Sequence, residues 1–195
     1  MRKIIIFLIF FFYQTFNINA DSINEIKRIT LGNEDAKITI IAYESLTCSH
    51  CADFHINIFP ELKRDYIDTG IAKIEFRHFP LDVAAFNASK LSQCMNDGSS
   101  KILDSLYLNQ PKWVKGGTIE EINKNLKKFL KSEGFDVDFN QCTSNKSIEN
   151  FILNDRIDAV KKFKVNATPT IIINDKKFEK SLNYKNLKKT LEKLI

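Results

Sequence analysis

Apolar residues change their spacing several times along the chain, and each change predicts an element. Lys37–Tyr43 (KITIIAY) is short, apolar and rich in β-branched residues, which predicts a buried strand. At Cys48-Ser49-His50-Cys51 the pattern turns helical: Cys51, Phe54, Ile58 and Leu62 share a face, and Gly70 is a stop. Ile71–Phe79 alternates, with Ile74, Phe76 and His78 on one face of a second strand. From about Val83 to Lys162 the spacing is helical. Leu91, Cys94 and Met95 are placed on one face, as are Ile102, Leu103, Leu106 and Tyr107. Thr118-Ile119-Glu120-Glu121 is a capping box that opens a helix carrying Ile122, Leu126, Phe129 and Leu130, closed near Gly134. Ile148, Phe151 and Ile152 begin another, running to about Phe163. Thr170–Ile173 is then β-branched throughout, and the Asn174-Asp175 turn predicts a hairpin with Lys177–Lys180. Tyr184, Leu187, Leu191 and Leu194 predict a closing amphipathic helix. Residues 21–35 read as a polar, mixed lead-in ending in a turn at Gly32–Asp35. The order is strand, helix, strand, helical block, hairpin and helix: an α/β domain interrupted by helices.

The first 20 residues stand apart from this pattern. Arg2 and Lys3 precede an uninterrupted apolar run, Ile4–Tyr13, and Ile18-Asn19-Ala20 offers a cleavage point before Asp21. This is the order of a secretory signal peptide, and the run is shorter than the ~20 residues of a spanning helix. Ile18 is bulkier than usual at such a site, which leaves an uncleaved anchor as the alternative. The 195 residues are 44% hydrophobic, enough for one domain with a sizeable core. The formal charge is +5 with both signs interspersed, so Lys124–Lys131 and Lys185–Lys193 read as solvated helix faces, and no nucleic-acid partner is expected.

Export changes the reading of the four cysteines, Cys48, Cys51, Cys94 and Cys142, because thiols oxidise outside the cytosol. A disulfide exchanger needs an accessible thiolate with a resolving thiol behind it. Cys48 at a helix start meets unpaired backbone N–H groups and the positive end of the helix dipole, which lower its thiol pKa from the free value of ~8.5. His50 can add charge or a hydrogen bond to the thiolate. Cys51, on the apolar face, would resolve the mixed disulfide. A lone C-x-x-C also occurs in zinc sites and structural disulfides, but Cys94 and Cys142 form no second C-x-x-C, and no metal is expected. Thr168-Pro169, before an apolar strand, reads either as a rigid or cis turn or as a simple strand start.

With these residues in place, the sequence resembles the DsbA family of thioredoxin-fold proteins, in its exported bacterial branch. The resemblance rests on Asp35–Ile40 leading into Cys48-Ser49-His50-Cys51, on Phe76–Leu81, on Glu133–Asp136 to Cys142, and on Val165–Asn174. It implies a thioredoxin fold with an inserted helical domain: signal peptide 1–20, thioredoxin-like parts 21–82 and 163–195, and insertion 83–162. It implies that Cys48 and Cys51 are the catalytic redox pair, supported by Ser49 and His50. It also implies that Pro169 is cis and that Thr168 and Pro169 contact substrate, with the Thr168 backbone pairing with a bound peptide. Some relatives carry a second disulfide in the insertion, which implies a structural Cys94–Cys142 bond. The chain departs from the family pattern at Ser49, where proline is common, and at Ala167, where glycine is frequent. Family members often bury an acid below the disulfide; Glu44 is near, but its register favours an ordinary strand-end carboxylate. His55, His78 and Trp113 read as packing residues.

The function expected is an exported, periplasmic dithiol oxidase without a cofactor. It passes the Cys48–Cys51 disulfide to reduced exported polypeptides and is reoxidised by a quinone-linked membrane partner that the resemblance implies. An isomerase or reductase on the same fold is the nearest alternative. Only some 15 residues separate Asp21 from the first expected strand, which leaves no room for an N-terminal dimerisation domain and favours a monomer and an oxidase. A thiolate copper or zinc protein is the alternative of another class.

Overall fold

The computed structural model describes residues 25–195; the expected signal segment lies outside them. Five strands form one mixed sheet in the order β1-β3-β2-β4-β5. They are β1 Ile29–Gly32, β2 Ile38–Glu44, β3 Ala72–His78, β4 Thr170–Ile173 and β5 Lys176–Lys177. β2 and β3 are parallel; the other three pairs are antiparallel.

The central strands read as continuous apolar runs because both sheet faces are covered. On β2, Ile38, Ile40 and Ala42 face the larger core, while Ile41 and Tyr43 face a second core with Phe79, Ala159, Val165 and Ile172. β3 alternates as expected, with Ile74, Phe76 and His78 buried. After β2 the chain enters α1 Ser49–Asp53, a wide π-helical turn Phe54–Ile58, α2 Phe59–Leu62 and a second wide turn Lys63–Ile67. Cys51, Phe54, Ile58 and Leu62 all point into the larger core.

Six helices separate β3 from β4: α3 Val83–Gln93, α4 Lys101–Leu108, α5 Gln110–Trp113, α6 Ile119–Ser132, α7 Phe139–Ser144 and α8 Lys146–Phe163. Four of the six starts are capped by side chains: Asp82 accepts from Ala85 N, Thr118 from Glu121 N, Asp138 from Gln141 N and Asn145 from Ser147 N and Ile148 N. A Cys94–Cys142 disulfide, with Cα atoms 5.5 Å apart, ties the end of α3 to α7. Trp113 is fully buried, its Nε1 donating to Leu106 O at 2.9 Å. The chain closes with α9 Tyr184–Leu191. Together this is the thioredoxin arrangement with helices between its third and fourth strands.

Several expectations are corrected. The lead-in holds a strand, β1, which pairs antiparallel with the outer side of β3. It is an edge strand in which only Ile29 is fully buried, so its apolar signal is short. Gly32 ends it at φ +103°, where a Cβ would lie 2.6 Å from Ala72 O, so only glycine permits this close approach. Met95 does not share the Leu91 face: α3 stops at Gln93, Asn96 turns to φ 49°, and Met95 is exposed. The hairpin partner of β4 is Lys176–Lys177, shorter than and displaced from Lys177–Lys180. Leu194 lies beyond the end of α9 and is exposed.

Candidate active site

Cys48 occupies the N-cap of α1, with extended backbone (φ −79°, ψ 119°) and no capping hydrogen bond from its side chain. An N-cap normally carries an oxygen that accepts the first helical N–H groups. Here a sulfur stands in that place. Its thiol pKa is lowered to about 5, first by the hydrogen bond from Cys51, then by Thr168 and by the backbone N–H groups of Cys51 and His50, against the opposing effect of burial. The His50 and Ser49 side chains are both exposed on the first turn, so it is the His50 backbone that acts on the sulfur.

Cys51, one turn on, is fully buried. Burial pushes its thiol far up, and the hydrogen bond given to Cys48 and the charge of Glu44 push the same way. The two sulfurs therefore divide the work: one is a half-exposed thiolate, the other a buried thiol. Neither is disulfide-bonded in this structure.

The 168–169 loop reaches the same point from the far end of the chain. The Thr168-Pro169 bond is cis, and Cys48 Sγ lies 3.3 Å from Thr168 O. Thr168 Oγ1 is buried and has no other hydrogen-bond partner among the described residues. Thr47, immediately before Cys48, donates to Asp82 Oδ2 at 2.7 Å, tying the reactive turn to the head of α3.

Beneath the pair lies Glu44, only 3% exposed, which corrects the reading of it as an ordinary strand-end carboxylate. It shares a 2.9 Å hydrogen bond with His55 Nε2, while Glu44 Oε1 has no partner among the described residues. His55 is stacked on Tyr107 with ring centroids 4.1 Å apart, and its Nδ1 is 3.8 Å from Asp104 Oδ1. The wide turn at Phe54–Ile58 aims His55 inward. His55 is thus part of the polar floor of the site, whereas His78, the partner of Glu44 in the β2–β3 register, places its ring nitrogen against Gln93 and its backbone N–H against Asp155. Gln110 also reaches the reactive turn, although its sequence context, an amide between Asn109 and Pro111, carries no signal of this.

The structure thus brings Cys48, Cys51, Ser49, His50, Thr168 and Pro169 to one place and leaves Cys94 and Cys142 bonded elsewhere. Among the described residues no group of three His, Cys, Asp or Glu side chains is arranged to hold a metal ion.

Comparison with known proteins points the same way. A family model described as thioredoxin matches residues 24–193. The chain is 40% identical over 96 residues to a putative protein-disulfide oxidoreductase of Rickettsia bellii, covering 48% of this chain but only 37% of that protein. It is 27% identical over 172 residues to disulfide bond formation protein D of Bacillus subtilis, covering 84% and 75%. Among solved structures, alpha-DsbA1 of Wolbachia pipientis superposes with a TM-score of 0.76 at 32% identity, covering 86% of this chain and 90% of that one.

Proposed function

The chain belongs to the DsbA family of thioredoxin-fold proteins, and from that membership we propose that it is a dithiol oxidase of exported polypeptides. The observation that carries the reading is the contrast at the cysteine pair: a Cys48 thiol lowered to about 5 beside a fully buried Cys51. Stabilising the Cys48 thiolate stabilises the reduced protein, which makes its disulfide the more oxidising.

The steps follow from the geometry. A substrate thiolate attacks the half-exposed Cys48 sulfur, the S–S bond to Cys51 breaks, and Cys51 leaves with the electron pair. Burial pushes the Cys51 thiol far up, so Cys51 takes up a proton and stays a buried thiol. A second substrate thiolate then attacks the substrate sulfur of the mixed disulfide and expels Cys48 as its stabilised thiolate. Two electrons pass from substrate to protein, and the substrate keeps the new disulfide. Thr168, whose carbonyl borders Cys48 and whose hydroxyl has no other partner, and Pro169 serve to hold the substrate segment.

In this reading residues 1–20 direct export to the periplasm, and parts 21–82 and 163–195 carry the chemistry around the insertion 83–162. Cys94–Cys142 is structural, the protein acts as a monomer, and a quinone-linked membrane protein restores the Cys48–Cys51 disulfide. A reductase or isomerase would use the same residues at a lower potential.

The deciding experiment is the reduction potential of Cys48–Cys51 against glutathione, on the wild type and on Cys94→Ala/Cys142→Ala protein. Thioredoxin lies near about −270 mV and a strongly oxidising DsbA near about −120 mV. A value close to the second supports the donor role, and a value close to the first replaces it with a reductase. No exchange at all, with metal bound to the reduced protein, replaces it with thiolate metal binding.

A further inference from the structure

We propose that Gln110 is a positioning residue through which the inserted helices set the reactivity of Cys48. The proposal deepens the thiol-exchange reading of this site and rests on it.

Gln110 is the first residue of α5, buried, and far from the C-x-x-C in sequence. Its Nε2 donates to Leu46 O at 2.8 Å and to Cys48 O at 3.0 Å. A primary amide has two N–H donors, and both are committed to the three-residue turn that delivers Cys48 to the helix. The Cys48 carbonyl also accepts from Cys51 N at 3.1 Å and Ala52 N at 3.2 Å. That carbonyl is therefore held by its own helix and, independently, by the insertion.

The peptide unit is planar, so fixing the Cys48 carbonyl fixes the plane in which α1 begins. That plane sets how the sulfur sits against the His50 and Cys51 N–H groups that stabilise the thiolate. No side chain makes a capping hydrogen bond at the start of α1, and the turn is held from outside by Leu81 N donating to Ser45 Oγ, by the Thr47–Asp82 bond, by the Cys48 Sγ–Thr168 O contact and by the Gln110 amide, which alone of these grips the Cys48 carbonyl. Gln110 is itself rigid. Val114 N donates to its carbonyl at 3.0 Å, and fully buried Trp113 closes the short helix. A polar side chain that served only to fill the insertion would have no reason to spend both donors on carbonyls flanking the reactive cysteine.

The test compares reduced wild type, Gln110→Met and Gln110→Glu by thiolate absorbance against pH, and their thiol–disulfide equilibrium with glutathione. Met keeps the length and removes the donors; Glu keeps the shape and offers acceptors. The titratable groups on the elements around Cys48 are His50, Cys51 and Asp53 on α1, Glu44 at the end of β2, His55 on the wide turn, Asp82 at the head of α3, Asp104 and Tyr107 on α4 and Lys112 on α5, and all remain. Gln110→Met is expected to raise the Cys48 midpoint by about one pH unit and to make the disulfide about tenfold less oxidising; Gln110→Glu moves both further. Trp113→Phe loosens the same short helix without touching the turn, and is expected to lower thermal stability and leave the Cys48 midpoint unmoved. Midpoints equal to wild type in both Gln110 variants overturn the proposal, as does an equal shift in Trp113→Phe, which would make the effect general loosening. A wild type that exchanges no disulfide with glutathione overturns the parent reading instead.

Discussion

Glu44 Oε2 and His55 Nε2 lie 2.9 Å apart with both side chains almost wholly out of water, one at the end of β2 and the other on the wide turn behind the cysteines. A buried polar pair of this kind is costly to break from one side only. His55→Ala leaves Glu44 with neither oxygen partnered and removes the Tyr107 stack, so a loss of about 3 kcal/mol is expected in urea unfolding. Glu44→Gln/His55→Ala removes the stranded acid and is expected to recover part of that loss; a double variant no more stable than His55→Ala would count against an interaction between the two.

Cys48 gives the reduced protein a pH-dependent stability that the oxidised protein lacks. Its folded pKa is depressed, from 9.0 to about 5, so the contribution is fully present above pH 9 and is lost as pH falls through about 5. Paired urea titrations of the reduced and oxidised forms should show their stability difference moving toward the reduced form from pH 5 to pH 9. A difference that stays flat across this window would mean that the thiolate is not stabilised by folding.

The same contrast predicts selective labelling. At pH 7 reduced protein should take one equivalent of iodoacetamide at Cys48, with Cys51 unmodified, because only the first sulfur is half-exposed and ionised. Cys51→Ala should accumulate mixed disulfides with disulfide-bonded peptides, because the Cys48 thiolate attacks their S–S bond, releases one peptide thiolate and meets no Cys51 to resolve the product; mass spectrometry reads it. Rapid modification of Cys51 in the folded protein would contradict its burial.

His78 carries a second pH dependence, of the opposite chemical type. Burial holds its imidazole at about 4, below the ordinary 6.5, so the folded state keeps it neutral while the unfolded state binds a proton. The stability it represents is present above pH 6.5 and is lost as pH falls toward 4, by about 3 kcal/mol across the window. His78→Gln should show a shallower acid slope between these values in urea unfolding; an unchanged slope would assign acid sensitivity elsewhere.

The Cys94–Cys142 bond spans 48 residues of chain, and closing such a loop restricts the unfolded state. Cys94→Ala/Cys142→Ala is expected to lose about 4 kcal/mol in denaturant unfolding while keeping an alkylatable Cys48.

Much of this was legible in the residue pattern, for physical reasons that also explain the gaps. The apolar run of β2, the alternation of β3 and the helical spacing after Cys51 are signals of burial, and burial is what holds these elements. β1 carries little signal because an edge strand needs only one well-buried side chain, Ile29, and is held otherwise by backbone pairing to β3. The burial of Glu44 is not visible in its own strand because its setting depends on His55, eleven residues away, and on a wide helical turn that ordinary helical spacing does not anticipate. Met95 fell outside its expected face because α3 ends two residues before it. Gln110 gave no sign at all, since its importance comes from the fold of the insertion onto the reactive turn.

The sulfur that stands in the N-cap of α1 ties the order of that helix to the redox state of the protein. When electrons arrive, Cys48 becomes an anion and completes the helix end; when they leave, the same atom is drawn into a bond and the N–H groups of His50 and Cys51 lose their charged acceptor. The first turn of α1 should therefore breathe more in the oxidised protein, and amide exchange there would read out each catalytic cycle as a tightening and loosening of the chain beneath the substrate.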